Sequence, residues 1–136
     1  ISDHGEWRHL HWNAIASAYG SSPFFEYYQD DIRPFFEKRY EFLLDFNEEI
    51  RRTVCNLIGI EPHIEYSSSY SEPAPGETDL RDVIHPKRRK AETILPVQLK
   101  PYYQVFSEKY GFQPDLSIID LLMNMGPESI LILQNT

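Results

Sequence analysis

Apolar residues recur at helical spacing most clearly between positions 42 and 58. Phe42, Leu43, Phe46, Ile50, Val54, Leu57 and Ile58 line one face there, and Gly59 follows. The pattern predicts a helix that stops at the glycine. Upstream, Asp3 reads as an N-cap with Glu6 three positions on, as in a capping box, and the helix it opens runs to about Tyr19, where Gly20 closes it. Trp7, His11, Ala14 and Ala18 share one face of that helix, and Trp12, Ala16 and Tyr19 share an adjacent one. Two apolar or aromatic faces predict burial over much of its circumference. Ser22 and Pro23 then start a further helix as cap and first-turn residue, and Pro34 splits it into a piece over about 24–31 and another after Arg33.

The pattern changes after Gly59. Residues 63–70 alternate with β-prone types and form the one good strand candidate, and residues 71–78 are a loop by composition. Asp79 caps a short predicted helix through Ile84, which Pro86 stops before the basic run Lys87-Arg88-Arg89-Lys90. Pro101 opens a predicted helix holding Tyr102, Tyr103, Val105 and Phe106 and closed by Gly111. Ser117 caps another over about 118–125, and Gly126-Pro127 break it before Ile130 to Leu133. No repeats occur. The fold class is therefore α+β, mainly α-helical with a small β element, and residues 1–136 are read as a single domain.

Composition narrows the partners. The net charge of −8 argues against a nucleic-acid binder, which usually presents a basic face. The single cysteine, Cys55, allows no internal disulfide and reads as a small apolar side chain in a reducing, cytoplasmic setting. No apolar run approaches a membrane span, and no signal segment is present. The chain starts at Ile1 a few residues before Trp7, which gives the expectation of an N-terminally truncated domain.

Candidate chemistry is concentrated near the start. Two tryptophans, His9, His11, Asn13 and three tyrosines fall within residues 7–28, and their polar tips need partners when buried. His9 and His11 are two apart, which is not the helical zinc spacing, and no cysteine pair exists, so no metal is expected. His11, on the Trp7 face, is the leading functional histidine; the plainer reading is a satisfied core residue. Arg81 offers a planar fork for phosphate or carboxylate, and His85 lies one turn on, an arrangement suited to an anion. Asp120 interrupts an almost wholly apolar helix, so it is either the partner of a core arginine or a functional carboxylate. No glycine-rich phosphate loop and no nucleophile elbow are present, which leaves the cofactor unknown and a hydrolase disfavoured.

In order along the chain, several tracts resemble the WbqC-like family of bacterial proteins. They are Trp7 with His11, Ile15 and Ala18-Tyr19; Pro23 with Tyr28; Leu44-Asp45-Phe46-Asn47; the stretch from Asp79-Leu80-Arg81 to Ile84-His85-Pro86-Lys87; Tyr102-Tyr103-Gln104-Val105-Phe106; and the run from Leu116 to Leu122 with Asn124, Gly126 and Pro127. The resemblance implies that this chain is the C-terminal portion of the family domain. It also implies a role with surface polysaccharides, such as O-antigen or capsule. The activity would be that of a transferase, of aminoacyl (glycine) type, acting on a nucleotide-linked amino sugar. On that footing His11 is the general base, Trp7, Tyr19, Tyr103 and Asp120 hold the sugar, and Arg81 with His85 hold a phosphate or carboxylate. The alternative is a non-catalytic module that binds a glycan or a protein. Convergence of the tips of Trp7, His11, Tyr19 and Tyr103 in one pocket separates the first reading from plain structure. Oligomeric state is left open.

Overall fold

A computed structural model of the chain describes residues 1–81 and 100–134. The chain divides into two units, Ile1–Pro62 with Leu99–Thr136, and His63–Gln98. Among the described residues helix dominates and there is no strand. The helices are α1 (Trp7–Tyr19), α2 (Phe25–Ile32), α3 (Pro34–Glu37), α4 (Leu43–Ile58), α5 (Ser107–Tyr110), α6 (Ile118–Met125) and α7 (Ser129–Gln134), with 3-10 turns over His4–Glu6 and Gly126–Glu128. None is long and apolar enough to cross a membrane.

Local chemistry accounts for most of these boundaries. Pro34 occupies the first turn of α3, where its missing N–H costs nothing, and α2 ends two residues earlier at Ile32. At the end of α4, Gly59 turns left-handed (φ 86°), which lets its N–H reach the Asn56 carbonyl and the Ile60 N–H reach that of Cys55 at 2.9 Å. This double bond satisfies carbonyls the helix would otherwise leave open. Ser117 caps α6 by accepting from the Ile119 N–H at 3.3 Å.

The core of the larger unit joins three helices. Phe25, Tyr28 and Ile32 of α2 meet Val54 and Ile58 of α4 and Leu122 and Met123 of α6, with Trp12, Ile15, Ala16 and Tyr19 of α1 packed against them. Each such aliphatic side chain contributes roughly 1.5–3 kcal/mol through burial. Trp12 stacks on Phe25 at 6.1 Å, and the Phe24 N–H donates to the Met123 carbonyl at 3.1 Å, tying the start of α2 to α6. Gly126 is obligatory at this junction. Its φ of 55° with ψ of −130° suits only glycine, and a Cβ there would lie 2.5 Å from the Phe24 ring.

Five expectations change. Ser22 and Pro23 do not open α2, which begins at Phe25 with Phe24 at its cap position and no side-chain cap bond. Asp3 does not cap α1: its carboxylate pairs with Arg8 instead, and a 3-10 turn leads into the helix at Trp7. A guanidinium within reach outcompetes the weaker backbone cap. Nor is α1 buried around its circumference: no residue of it is fully buried, and His9, Leu10, His11, Asn13, Ala14, Ser17 and Ala18 are exposed. The predicted strand over 63–70 is irregular and exposed, because among the described residues it has neither a neighbouring strand nor a core face to bury its alternate side chains. The mainly α-helical part of the fold class stands, without the β element. Finally, the helix expected from Pro101 to Gly111 shrinks to α5, for a reason that lies in the site itself.

Candidate functional site

An Asp and an Asn four residues apart on α6 face inward, Asp120 at 5% and Asn124 at 3% exposure. Buried polar groups need partners, and these two find them in residues 102–105 as well as in each other. Tyr102 donates its hydroxyl to Asp120 Oδ2 at 2.7 Å, and Gln104 Nε2 donates to the same oxygen at 2.9 Å. Asn124 Oδ1 accepts the Val105 backbone N–H at 3.0 Å, while its Nδ2 donates to the Asp120 carbonyl at 2.8 Å and to Asp120 Oδ1 at 3.3 Å. A helix through 102–106 would bury those backbone groups in itself and leave Asp120 and Asn124 unsatisfied. Tertiary bonds therefore override the local pattern.

Gln104 extends the grip to the far side of α5. Its Oε1 accepts the Gln113 N–H at 2.8 Å and its Nε2 donates to the Gln113 carbonyl at 2.9 Å, as a strand neighbour would. The result is a cleft of about 420 Å³ between the C-terminal end of α1 and residues 104–116, with Asp120 in its wall. That volume falls in the usual range for small-molecule clefts, roughly 300–1,000 Å³. Tyr19, Phe106 and Tyr110 supply aromatic surface, and Gln104, Ser107, Gln113 and Asp120 supply polar groups. Burial first, and then the neighbouring Asp120 carboxylate, push the Tyr19 hydroxyl up to about 12. Burial and the same carboxylate raise Tyr102 well above the usual tyrosine range.

The residues singled out from the sequence fall in different places. Tyr19 and Asp120 line the cleft together. Trp7 and His11 lie toward the other end of α1: Trp7 donates its Nε1–H to the Ser2 carbonyl at 2.9 Å, and exposed His11 meets the Trp7 ring edge-on at 5.4 Å. Eight residues of helix separate His11 from Tyr19, roughly 12 Å along the axis. Tyr103 is 53% exposed and does not line the cleft. The four tips thus do not converge. Arg81 belongs to the second unit, where Asp79 takes its guanidinium through both oxygens (2.7–3.1 Å), Ser71 accepts from it at 3.0 Å, and it stacks over Tyr70 at 4.6 Å. The guanidinium in turn holds the Asp79 carboxyl down at about 2. His85 and the basic run at 87–90 lie outside the described residues.

Tyr102 and Gln104, which both donate to Asp120, are the residues of this network the sequence reading missed, and Gln104 also lines the cleft. In an extended segment they share a face and Tyr103 takes the other. The signal available was Asp120 with Asn124 one turn on, two polar groups in an apolar helix with no arginine or lysine near them in sequence. Among the described residues no cluster of His, Cys, Asp or Glu could hold a metal ion, and Cys55 is free and half-buried.

Comparison with known proteins adds the following. A family model described as the WbqC-like protein family matches residues 1–98. The matched region is the N-terminal part of this chain, where a C-terminal portion of the family domain was expected; the tracts at 102–106 and 116–127 lie outside it. The chain is 25% identical over 151 aligned positions to "Uncharacterized protein Rv1507c" of Mycobacterium tuberculosis, a match that covers 95% of this chain. The chain spans 65% of the length of that curated relative. No solved structure matches.

Proposed function

The chain belongs to the WbqC-like protein family, and on that premise we propose that its cleft binds the sugar of a nucleotide-linked amino-sugar precursor, which the protein modifies as a transferase in surface-polysaccharide biosynthesis. The observation that carries the binding part is the cleft itself. A sugar presents an apolar C–H face and an edge of hydroxyls; Phe106 and Tyr110 offer exposed aromatic surface for the first, and Ser107, Gln113 and Tyr19 offer donors and acceptors for the second. His11 is the proposed base, acting on a reactive group that extends from the cleft along α1. Arg81 and His85, in the second unit, are proposed separately as an anion contact.

One observation favours a second reading, a non-catalytic glycan- or protein-binding module. Asp120, the carboxylate in the cleft wall, already accepts from donors on both oxygens, and no histidine lines the cleft. A general base needs a free lone pair facing substrate.

Thermal shift and calorimetry with UDP-glucosamine, followed by a turnover assay with an aminoacyl donor, separate the two. A ligand at about 100 times its Kd stabilises by roughly 2.7 kcal/mol, a readable shift for a domain of this size. The transferase reading expects binding, turnover, and a His11→Ala variant that binds as before and turns over nothing. Binding without turnover supports the module. No binding at all overturns the cleft as a sugar site.

A further inference from the structure

The cleft wall carries one formal charge, and it is negative. Tyr102, Gln104 and Asn124 hold Asp120, all of them neutral donors. No lysine, arginine or histidine lines the cleft, and among the described residues no cation pairs with Asp120. The contrast with other carboxylates is direct. Asp3 pairs with Arg8, Glu37 with Arg33, Glu49 with Lys38, Glu48 with Arg51 and Asp79 with Arg81. Those five lie at 19–57% side-chain exposure, whereas Asp120 is at 5% as a residue. The most buried of these charges is the one without a counter-ion. The nearby ammonium of Lys109 lies over the Tyr110 ring, 5.0 Å from its centroid.

Neutral donors satisfy the lone pairs of a carboxylate but leave its net charge, and in poorly solvated surroundings that charge acts at longer range than in water. Tyr19 is placed to pass the effect on. It lines the cleft together with Asp120 and feels that carboxylate's charge, and its hydroxyl oxygen offers lone pairs as acceptors. The aromatic ring of Phe106 in the same lining adds a second attraction for positive charge.

We propose that the cleft selects a protonated primary amine, with the ammonium donating to the Tyr19 hydroxyl oxygen and Asp120 supplying the compensating charge. The inference rests on the cleft being the ligand site and specifies the group read there. A free amino sugar binds in preference to its hydroxyl analogue, which lacks the charge, and to its N-acylated form, which is neutral and larger at that position. Phosphate stays outside this cleft.

The test is calorimetry on the full chain with glucosamine, glucose and N-acetylglucosamine at one pH and ionic strength, repeated on Tyr19→Phe. Glucosamine is expected to bind about tenfold more tightly than the other two. The preference should vanish in Tyr19→Phe, with glucosamine affinity falling to that of glucose. A readout on the unmodified chain guards against a variant that fails to fold: glucosamine affinity should fall as pH rises through the pKa of its own amine, while glucose affinity stays level. Equal binding of all three sugars overturns amine selection and leaves the cleft a sugar site. A preference that survives Tyr19→Phe overturns it too, since general attraction to an acidic chain explains that result. Absence of binding by any of them overturns both the selection and the reading of the cleft as a sugar site.

Discussion

The fourth helix and the stretch from 101 to 113 stay in place for opposite reasons. α4 closes its own backbone bonds through sixteen residues and ends in its own glycine turn; Phe42, Leu43 and Leu44 at its start stay exposed without unwinding it. The 101–113 stretch has only the four residues of α5 as regular structure, and side chains of another helix hold the rest. One region is self-sufficient and the other is borrowed. The cleft is built from the borrowed one, so its shape depends on a few buried polar side chains rather than on a hydrophobic stripe.

The largest break comes from the hub. Asp120→Ala removes the acceptor shared by Tyr102, Gln104 and Asn124; the Tyr102 hydroxyl loses its partner, and Gln104 and Asn124 keep only their backbone acceptors. A loss of roughly 3–5 kcal/mol in chemical denaturation is expected, with early proteolysis within 102–113. Leu122→Ala, fully buried on the same helix, should cost roughly 2–5 kcal/mol as a cavity but leave 102–113 protected in the native state. Equal protease resistance in the two variants would show that the stretch does not depend on the polar hub. Gln104→Ala comes next at roughly 1–3 kcal/mol, because Gln113 loses both bonds that hold the rim. Binding at the cleft should weaken more than stability does.

The same contrast appears in alkali. Tyr19 has its pKa raised to about 12, and Tyr102 is raised as well, mainly by burial and then through Asp120. A group whose folded pKa lies above its unfolded value contributes stability that is complete below the unfolded value, near 10, and is lost as pH rises through the folded one. The chain should therefore lose stability between about pH 10 and 12. Tyr19→Phe should flatten part of that fall, whereas a substitution at exposed Leu44 of α4 should leave it unchanged. A pH profile identical in Tyr19→Phe would remove Asp120 and Tyr19 as a coupled pair.

Legibility in the sequence follows the same division. α4, the break at Pro34, the cap at Ser117 and the stop at Gly126 are written locally, in spacing and in residues of special backbone geometry, and each stands where the pattern places it. The hub was legible as a demand without an answer: Asp120 and Asn124 in an apolar helix require partners, but their spacing does not say which. The answer lies 16–19 residues upstream, in a segment whose aromatic content matches a helix. Taking that helix as real selects Tyr103, while the extended backbone presents Tyr102 and Gln104. At Asp3 the competitor was Arg8, five residues on, beyond what a capping pattern considers.

The smallest effects test the self-sufficient side. Gly59 ends α4 in the left-handed region with open space where a Cβ would go. Alanine there meets no clash and only backbone strain, so Gly59→Ala should cost about 1 kcal/mol. The loss should stay local, with sugar binding at the cleft unchanged, because no bond of the hub passes through α4. Leu43→Ala goes further in the same direction. Leu43 is 60% exposed in the first turn of α4, it leaves no cavity, and alanine is the better helix former, so the change should stay within about 0.5 kcal/mol. A larger loss in denaturation would mean that this apolar turn is covered in solution, and α4 would then be a borrowed element too.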